Sequence, residues 1–293
     1  MNRFLTIISI VFICNNVTAQ HKKQDTLKRV YMSLDSYKNQ YKKPLTKNDS
    51  INFMIRGNDT LVLVENYVRP KGISVPYEYK DSTFLKYYQK IAFRTKGIDS
   101  IDKKQKMRYW KDDIKIYFSE SVSKKTRKNL MSFATKIANE VDSLNISEVK
   151  QIESSNCIIY YFGDYEYEPR LRNNKKSDYY ISWNGNNQIY RSSIKIDTEL
   201  YFNEKLIGQK LKELFIGTLG HFSRINNFGC ESYFADCYSE NKQLTPVDIE
   251  LLQYHYSYGI CKGTTLEKFE KQHQQAKELL KTHNRKMSFY HPF

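Results

Sequence analysis

Residues 113–144 read DIKIYFSESVSKKTRKNLMSFATKIANEVDSL, and the two periods they contain decide the fold class. In DIKIYFSE (113–120), Ile114, Ile116 and Phe118 share one face, the two-residue period of a strand with one side buried. Downstream the period changes. Leu130, Phe133, Ala134, Ile137, Ala138, Val141 and Leu144 fall three or four residues apart, or on the turns that continue that series, which gives a helix one apolar stripe. A half-buried strand followed by an amphipathic helix needs another strand beside the first, so that the helix can pack across both.

Working outward, the same alternation continues. NCIIYYFG (156–163) is an apolar run that reads as a buried strand ended by Gly163-Asp164. YYISWNG (179–185) and QIYRSSIKID (188–197) read as two strands around a turn at Gly185. A helix follows, with Ile207, Leu211, Leu214, Phe215, Thr218 and Leu219 on its apolar stripe and Gly220 placed to stop it. In TPVDIELLQYHY (245–256), Thr245 is a cap, Pro246 suits the first helical position and Asp248 the positive helix end. A last helix is expected from Thr264, with a capping box to Glu267, through Leu280. The order predicts an α/β layered fold, a mixed sheet with packed helices and a right-handed crossover. It occupies residues 85–262, followed by a helix and tail over 263–293.

Residues 20–84 read as a small N-terminal α/β region. A helix is expected near Thr26 to Tyr41, then a hairpin of INFMIR (51–56) and TLVLVENYV (60–68) around Gly57-Asn58-Asp59. VRPKGISVP (68–76) reads as a breaker-rich connector. Before all of this, MNRFLTIISIVFICNNVTA (1–19) has a basic start at Arg3, an apolar run and a small-residue cleavage site, the marks of a secretory signal peptide. Export to the periplasm or beyond is therefore expected. Anchoring as a lipoprotein through Cys14 is disfavoured, because Ile13 before it is not small. No other apolar run has the length of a membrane span.

The chain of 293 residues carries 47 Lys and Arg against 32 Asp and Glu, a formal charge of +15, and 24 Tyr and 16 Phe to build a core. Disorder is excluded by that apolar content. The cations are mostly Lys scattered among Asn, Tyr and Ile rather than Arg clusters, so nucleic-acid binding is disfavoured. Past the leader, Cys157, Cys230, Cys237 and Cys261 are candidate disulfide partners in an exported chain, with three connectivities open. Cys230 and Cys237 bracket a short loop that a disulfide could close, and Cys157 in its apolar run fits a buried thiol equally well. No close Cys pair suits zinc.

Five words of sequence carry a resemblance: KIAF (90–93), RYWKDDIKIYF (108–118), KELFIGTLG (212–220), SYFADC (232–237) and LTPVDIELLQYHYSYGI (244–260). In this order and spacing the chain resembles a bacterial family of exported proteins known only as a domain of unknown function. That family itself looks like metzincin-type zinc metalloproteases without the full zinc motif. The resemblance implies a metzincin-like domain, with an active-site helix ending in Leu219-Gly220, a turn at Ser232-Tyr233-Phe234 and a helix after it.

A zinc-protease helix carries two His four residues apart, on one face, with a Glu beside the first to polarise the metal-bound water. Aligned on Leu219-Gly220, the helical ligand positions hold Glu213 and Gly217, the base position Leu214 and the third ligand position Ser223. Shifting by one residue keeps Glu213 as base but puts Lys212 and Ile216 at the ligands. Tight zinc binding is therefore disfavoured and no cofactor is expected. Glu213 and His221 remain the candidate catalytic residues, against the readings of an ordinary solvated Glu and a His at a helix end. Tyr233, Asp236 and Asp248 are expected to fix the turn and helix start, and His255 to be a satisfied core side chain. The leading expectation is a non-catalytic binding or cell-envelope role, with a peptide or protein held along a sheet edge. The alternatives are an atypical hydrolase using Glu213, His221 and Asp236, and a basic module that binds an anionic polymer.

Overall fold

The computed structural model describes residues 29–42, 44–57, 59–64, 71–95 and 104–292. The leader expected over 1–19, with Cys14, and the start of the helix expected from Thr26 lie outside them. The chain divides into two compact units, Met1–Pro70 and Lys71–Phe293.

The first unit is a three-stranded antiparallel sheet. Its described elements are β1 (Val30–Ser33), α1 (Leu34–Tyr41), α2 (Lys47–Ile51), β2 (Met54–Arg56) and β3 (Asp59–Val64). The expected hairpin forms, with Arg56 opposite Asp59 and Met54 opposite Leu61. Two details differ from the sequence reading. Ile51 ends α2, whose capping box joins Thr46 and Asp49, instead of starting the strand. Val30–Ser33, expected within a helix, is a strand on the other side of β3, with Val30 opposite Val64. β-branched Val62 and Val64 are buried on that central strand, and burying them outweighs local helix preference.

The second unit begins with β4 (Gly72–Pro76) and α3 (Ser82–Ala92), continues with β5 (Tyr109–Trp110), β6 (Ile114–Phe118), α4 (Lys124–Glu140), β7 (Ile146–Glu148), β8 (Cys157–Tyr161), β9 (Asp178–Trp183) and β10 (Gln188–Ile196), and closes with α5 (Glu204–Gly220), α6 (Pro246–Tyr256), α7 (Leu266–His283) and β11 (Ser288–Pro292). Six of these strands make one mostly parallel sheet, in the order β5, β10, β8, β6, β7. β9 pairs antiparallel with β10, Ile181 opposite Ser192, and pairs with no other strand among the described residues. The mixed α/β class read from the alternating periods is the class observed.

The burial explains why these residues form these elements. Ile114, Ile116 and Phe118 are buried in one core with Leu130, Phe133, Ala134 and Ile137 of α4. β8 lies between β6 and β10 and is buried through Cys157–Tyr160, which is why it shows no alternation in sequence. α5 packs on β9 and β10 and against α4. Behind it, Tyr88, Tyr254 and Phe269 form an aromatic cluster that ties α3, α6 and α7 together.

Local signals place the helix ends, with two corrections. Thr245 and Asp248 form the capping box of α6, with Pro246 at its first turn, as expected. The cap of α7 is Thr265, which accepts from the Lys268 amide, so the expected start at Thr264 is one residue early. Gly220 does not stop α5: it is the last helical residue, and His221 takes the left-handed conformation at φ 55°. Gly220 is glycine for space, since a Cβ there would stand 2.3 Å from the Phe222 ring and 2.9 Å from Nε2 of His255. The expected connector over 68–76 is in part the strand β4, pairing with β11.

Cys230 and Cys237 form a disulfide with Cα atoms 5.2 Å apart, closing the loop that they bracket. Cys157 and Cys261 carry free thiols, and burial pushes the Cys157 thiol up to about 12. No helix among the described residues is long and apolar enough to cross a membrane.

Candidate functional site

A cleft of about 680 Å³ opens where the start of β9, the middle of α5 and the loop after α5 meet. That volume is in the range of small-molecule and peptide side-chain sites. Asn174 and Lys176 to Tyr179 supply one wall, Lys210, Glu213, Leu214 and Gly217 another, and Phe222 to Asn227 the third. Lys90 and Arg94 reach in from the end of α3, and Tyr233, Phe234 and Asp236 from the disulfide loop. The lining is cationic on balance, with Lys90, Arg94, Lys176, Lys210 and Arg224 against Asp178, Glu213 and Asp236.

Glu213 is not on a solvated helix face: its side chain is only 14% exposed and stands in the cleft wall. Its Oε1 receives Lys210 Nζ at 2.8 Å, one helical turn back, and Arg224 Nη1 at 2.7 Å from the following loop. Both cations occupy the carboxylate, which leaves it poorly placed to act as a free base or a metal ligand. Gly217, four residues on, faces the ring of Tyr179, where a Cβ would stand 2.6 Å from Cε1. The side chain of an edge-strand tyrosine thus fills the space into which a second helical ligand would project. Leu214 is buried and carries no proton-transfer group, and Ser223 is fixed by its amide to the Ile91 carbonyl. These residues do not fit zinc. Among the described residues, no three His, Cys, Asp or Glu side chains form a group that could hold a metal ion.

His221 lies beyond the helix and is not part of the cleft lining. Its Nε2 accepts from Arg94 Nη1 at 2.5 Å, which leaves the proton on Nδ1, facing the Tyr179 hydroxyl at 3.3 Å. Burial, then Arg94 and Arg108, lower its pKa to about 3, so the ring is neutral at physiological pH. Burial also pushes the Tyr179 phenol up to about 12, with Arg94 opposing. Arg108 lies over the Trp183 ring, 3.9 Å from its centroid, and Trp183 in turn stacks near His221. The structure therefore brings Glu213 and Asp236 to one cleft and places His221 in a different, basic and aromatic cluster behind Tyr179.

The remaining singled-out residues are architectural. Asp248 is buried and accepts from the Ser232 hydroxyl at 2.5 Å and from the Tyr233 and Thr245 amides at 3.1 Å each, so one carboxylate fastens the turn to the start of α6. Tyr233 packs its ring on Phe133. Asp236 is exposed on the cleft rim, its amide bonded to the Ile225 carbonyl. His255 is fully buried, donating from Nε2 to the Arg108 carbonyl and accepting the Tyr88 hydroxyl at Nδ1.

Tyr179, Arg94, Arg108 and Trp183 carried no sequence signal, because they come from separate loops and strands that only the tertiary fold joins. The Lys210–Glu213 pair was legible as an i,i+3 contact. No family model matches the chain, and no curated protein matches it.

Proposed function

We propose that the second unit is a peptide-binding module with a metalloprotease-like layout, which works without a zinc centre and serves at the cell envelope. The observation that carries it is the position of β9: an antiparallel edge strand, without a strand on its outer side among the described residues, whose beginning walls the cleft. An exposed edge offers backbone amides and carbonyls in a row, and an extended peptide satisfies them by adding a strand. The cationic lining sets the chemistry of the occupant, an extended peptide with acidic side chains. Support for a non-catalytic role comes from Tyr179 over Gly217 and from the two cations held by Glu213. The disulfide fits an oxidising compartment.

The test is fluorescence anisotropy with an amidated decapeptide of alternating Glu and Val, against the same peptide with Lys for Glu. The Glu peptide is expected to bind, and the double variant Lys90→Glu/Lys176→Glu to weaken it at least about tenfold. Equal binding of both peptides, or an unchanged affinity in the variant, would contradict the reading. Preference for a polysaccharide polyanion over the peptide would favour the basic polymer-binding alternative instead.

A further inference from the structure

The geometry points to a carboxylate receptor beside the end of β9, in which the guanidinium groups of Arg94 and Arg108, framed by His221 and Trp183, take a carboxylate carried by the docked peptide. It rests on the peptide-binding reading of the cleft, of which Arg94 is part.

Among the described residues, the two arginines lack a carboxylate partner. In this unit Lys80 meets Glu250 at 2.8 Å, Lys195 meets Glu166 at 2.5 Å and Arg224 meets Glu213 at 2.7 Å, while Lys242 and Lys262 meet backbone carbonyls instead. The guanidinium groups of Arg94 and Arg108 meet neither a carboxylate nor a carbonyl among the described residues. Arg94 spends one N–H on a neutral imidazole, which cannot balance its charge. The Arg108 guanidinium has no hydrogen bond or ion pair among the described residues, and its Nε is buried without an acceptor. A guanidinium has five donors and no acceptor, so a buried one left open costs free energy unless a ligand completes it. The pair is also mutually repulsive. Burial first and Arg94 second pull Arg108 below its ordinary pKa, and both arginines keep His221 neutral.

The surroundings fix the direction in which the missing partner binds. The Trp183 ring covers one face of Arg108, which leaves the N–H edge to a ligand. Trp183 ends β9 and Arg94 reaches into the cleft, so a peptide along the edge strand brings its groups to both. Planar forks suit a carboxylate, which accepts two parallel N–H bonds from one guanidinium.

Sodium acetate, titrated into the full chain at constant ionic strength with chloride as the balance, tests the receptor without any peptide. Trp183 fluorescence, identified by difference from Trp183→Phe, is the signal. A saturable acetate response is expected, weakened at least about tenfold in Arg108→Gln and in Arg94→Gln, and only partly retained in Arg108→Lys. Arg108→Gln is also expected to unfold at the same urea concentration as the parent or a higher one, since it removes an unbalanced charge; a packing role would lower it. No saturable response, an equal response in Arg108→Gln, or saturation by inorganic phosphate about tenfold below acetate overturns the proposal. Asp99 and Asp102 lie outside the described residues, so Asp99→Asn/Asp102→Asn is titrated in parallel. A response about tenfold tighter in that variant means that the chain supplies its own carboxylate, and also overturns it. Failure of the acetate arm leaves the edge-strand reading standing, and failure of the decapeptide to bind leaves the acetate result standing.

Discussion

A Cβ on Gly217 would stand 2.6 Å from Cε1 of Tyr179, closer than packed carbons allow, and Tyr179 is held on its far side by His221. Gly217→Ala is therefore expected to destabilise the protein by about 1–3 kcal/mol, the cost of overpacking, despite the better helix propensity of Ala. In a Tyr179→Ala background the sign should reverse, with Ala gaining about 0.5–1 kcal/mol over Gly. A urea double-mutant cycle measures both, and an additive cycle would show that the ring does not occupy that space. The two buried histidines give a second expectation at this scale. His221 and His255 are held to about 3 in the fold, chiefly by burial, against about 6.5 in an unfolded chain. Because the folded pKa is the lower, the unfolded chain takes up protons first as pH falls. The stability is complete above about pH 6.5 and is lost progressively toward 3, by about 2 kcal/mol per histidine at pH 5. Imidazole NMR shifts assigned to His221 or His255 that titrate near 6.5 in the folded protein would contradict this.

At the scale of elements, the cleft depends on how the chain after α5 is tied down. Asp248 joins the Ser232-Tyr233 turn to α6, and the Cys230–Cys237 bridge closes the loop just before and after that turn. Asp248→Ala leaves the Ser232 hydroxyl and the Tyr233 and Thr245 amides without their acceptor, and is expected to cost about 3 kcal/mol or more. A loop this short contributes less: removing both cysteines should cost about 2–3 kcal/mol by the loop-closure relation. Chemical denaturation ranks the two, and a larger loss for the cysteine pair would mean that the bridge, not the carboxylate, holds the loop. These ties were largely legible beforehand, since Thr245-Pro246 and Asp248 state a helix start in local chemistry. The end of α5 was not. Gly220 reads as a stop, yet His221 takes the left-handed position, because what Gly220 relieves is contact with Phe222 and His255, residues beyond the helix.

For the whole molecule, periodicity carried the architecture, because the burial of Ile114, Ile116 and Phe118 in one core with Leu130 and Ile137 is written in spacing alone. Val30–Ser33 was misread because its strand character comes from a partner about thirty residues away in sequence. The site was legible only in part for the same reason. Glu213 could be singled out from its helix, but its two cations, the Tyr179 ring and the Arg94–Arg108 pair are assembled by loops from all over the second unit. The result is a cleft beside a sheet edge, with a salt bridge at Glu213 and an aromatic ring over Gly217. Metal analysis tests that claim most directly. The purified protein is equilibrated with excess zinc, passed through gel filtration and its zinc weighed against chain. The account predicts far less than one zinc per chain, with no change in Glu213→Ala; one zinc per chain that disappears in Glu213→Ala would contradict it.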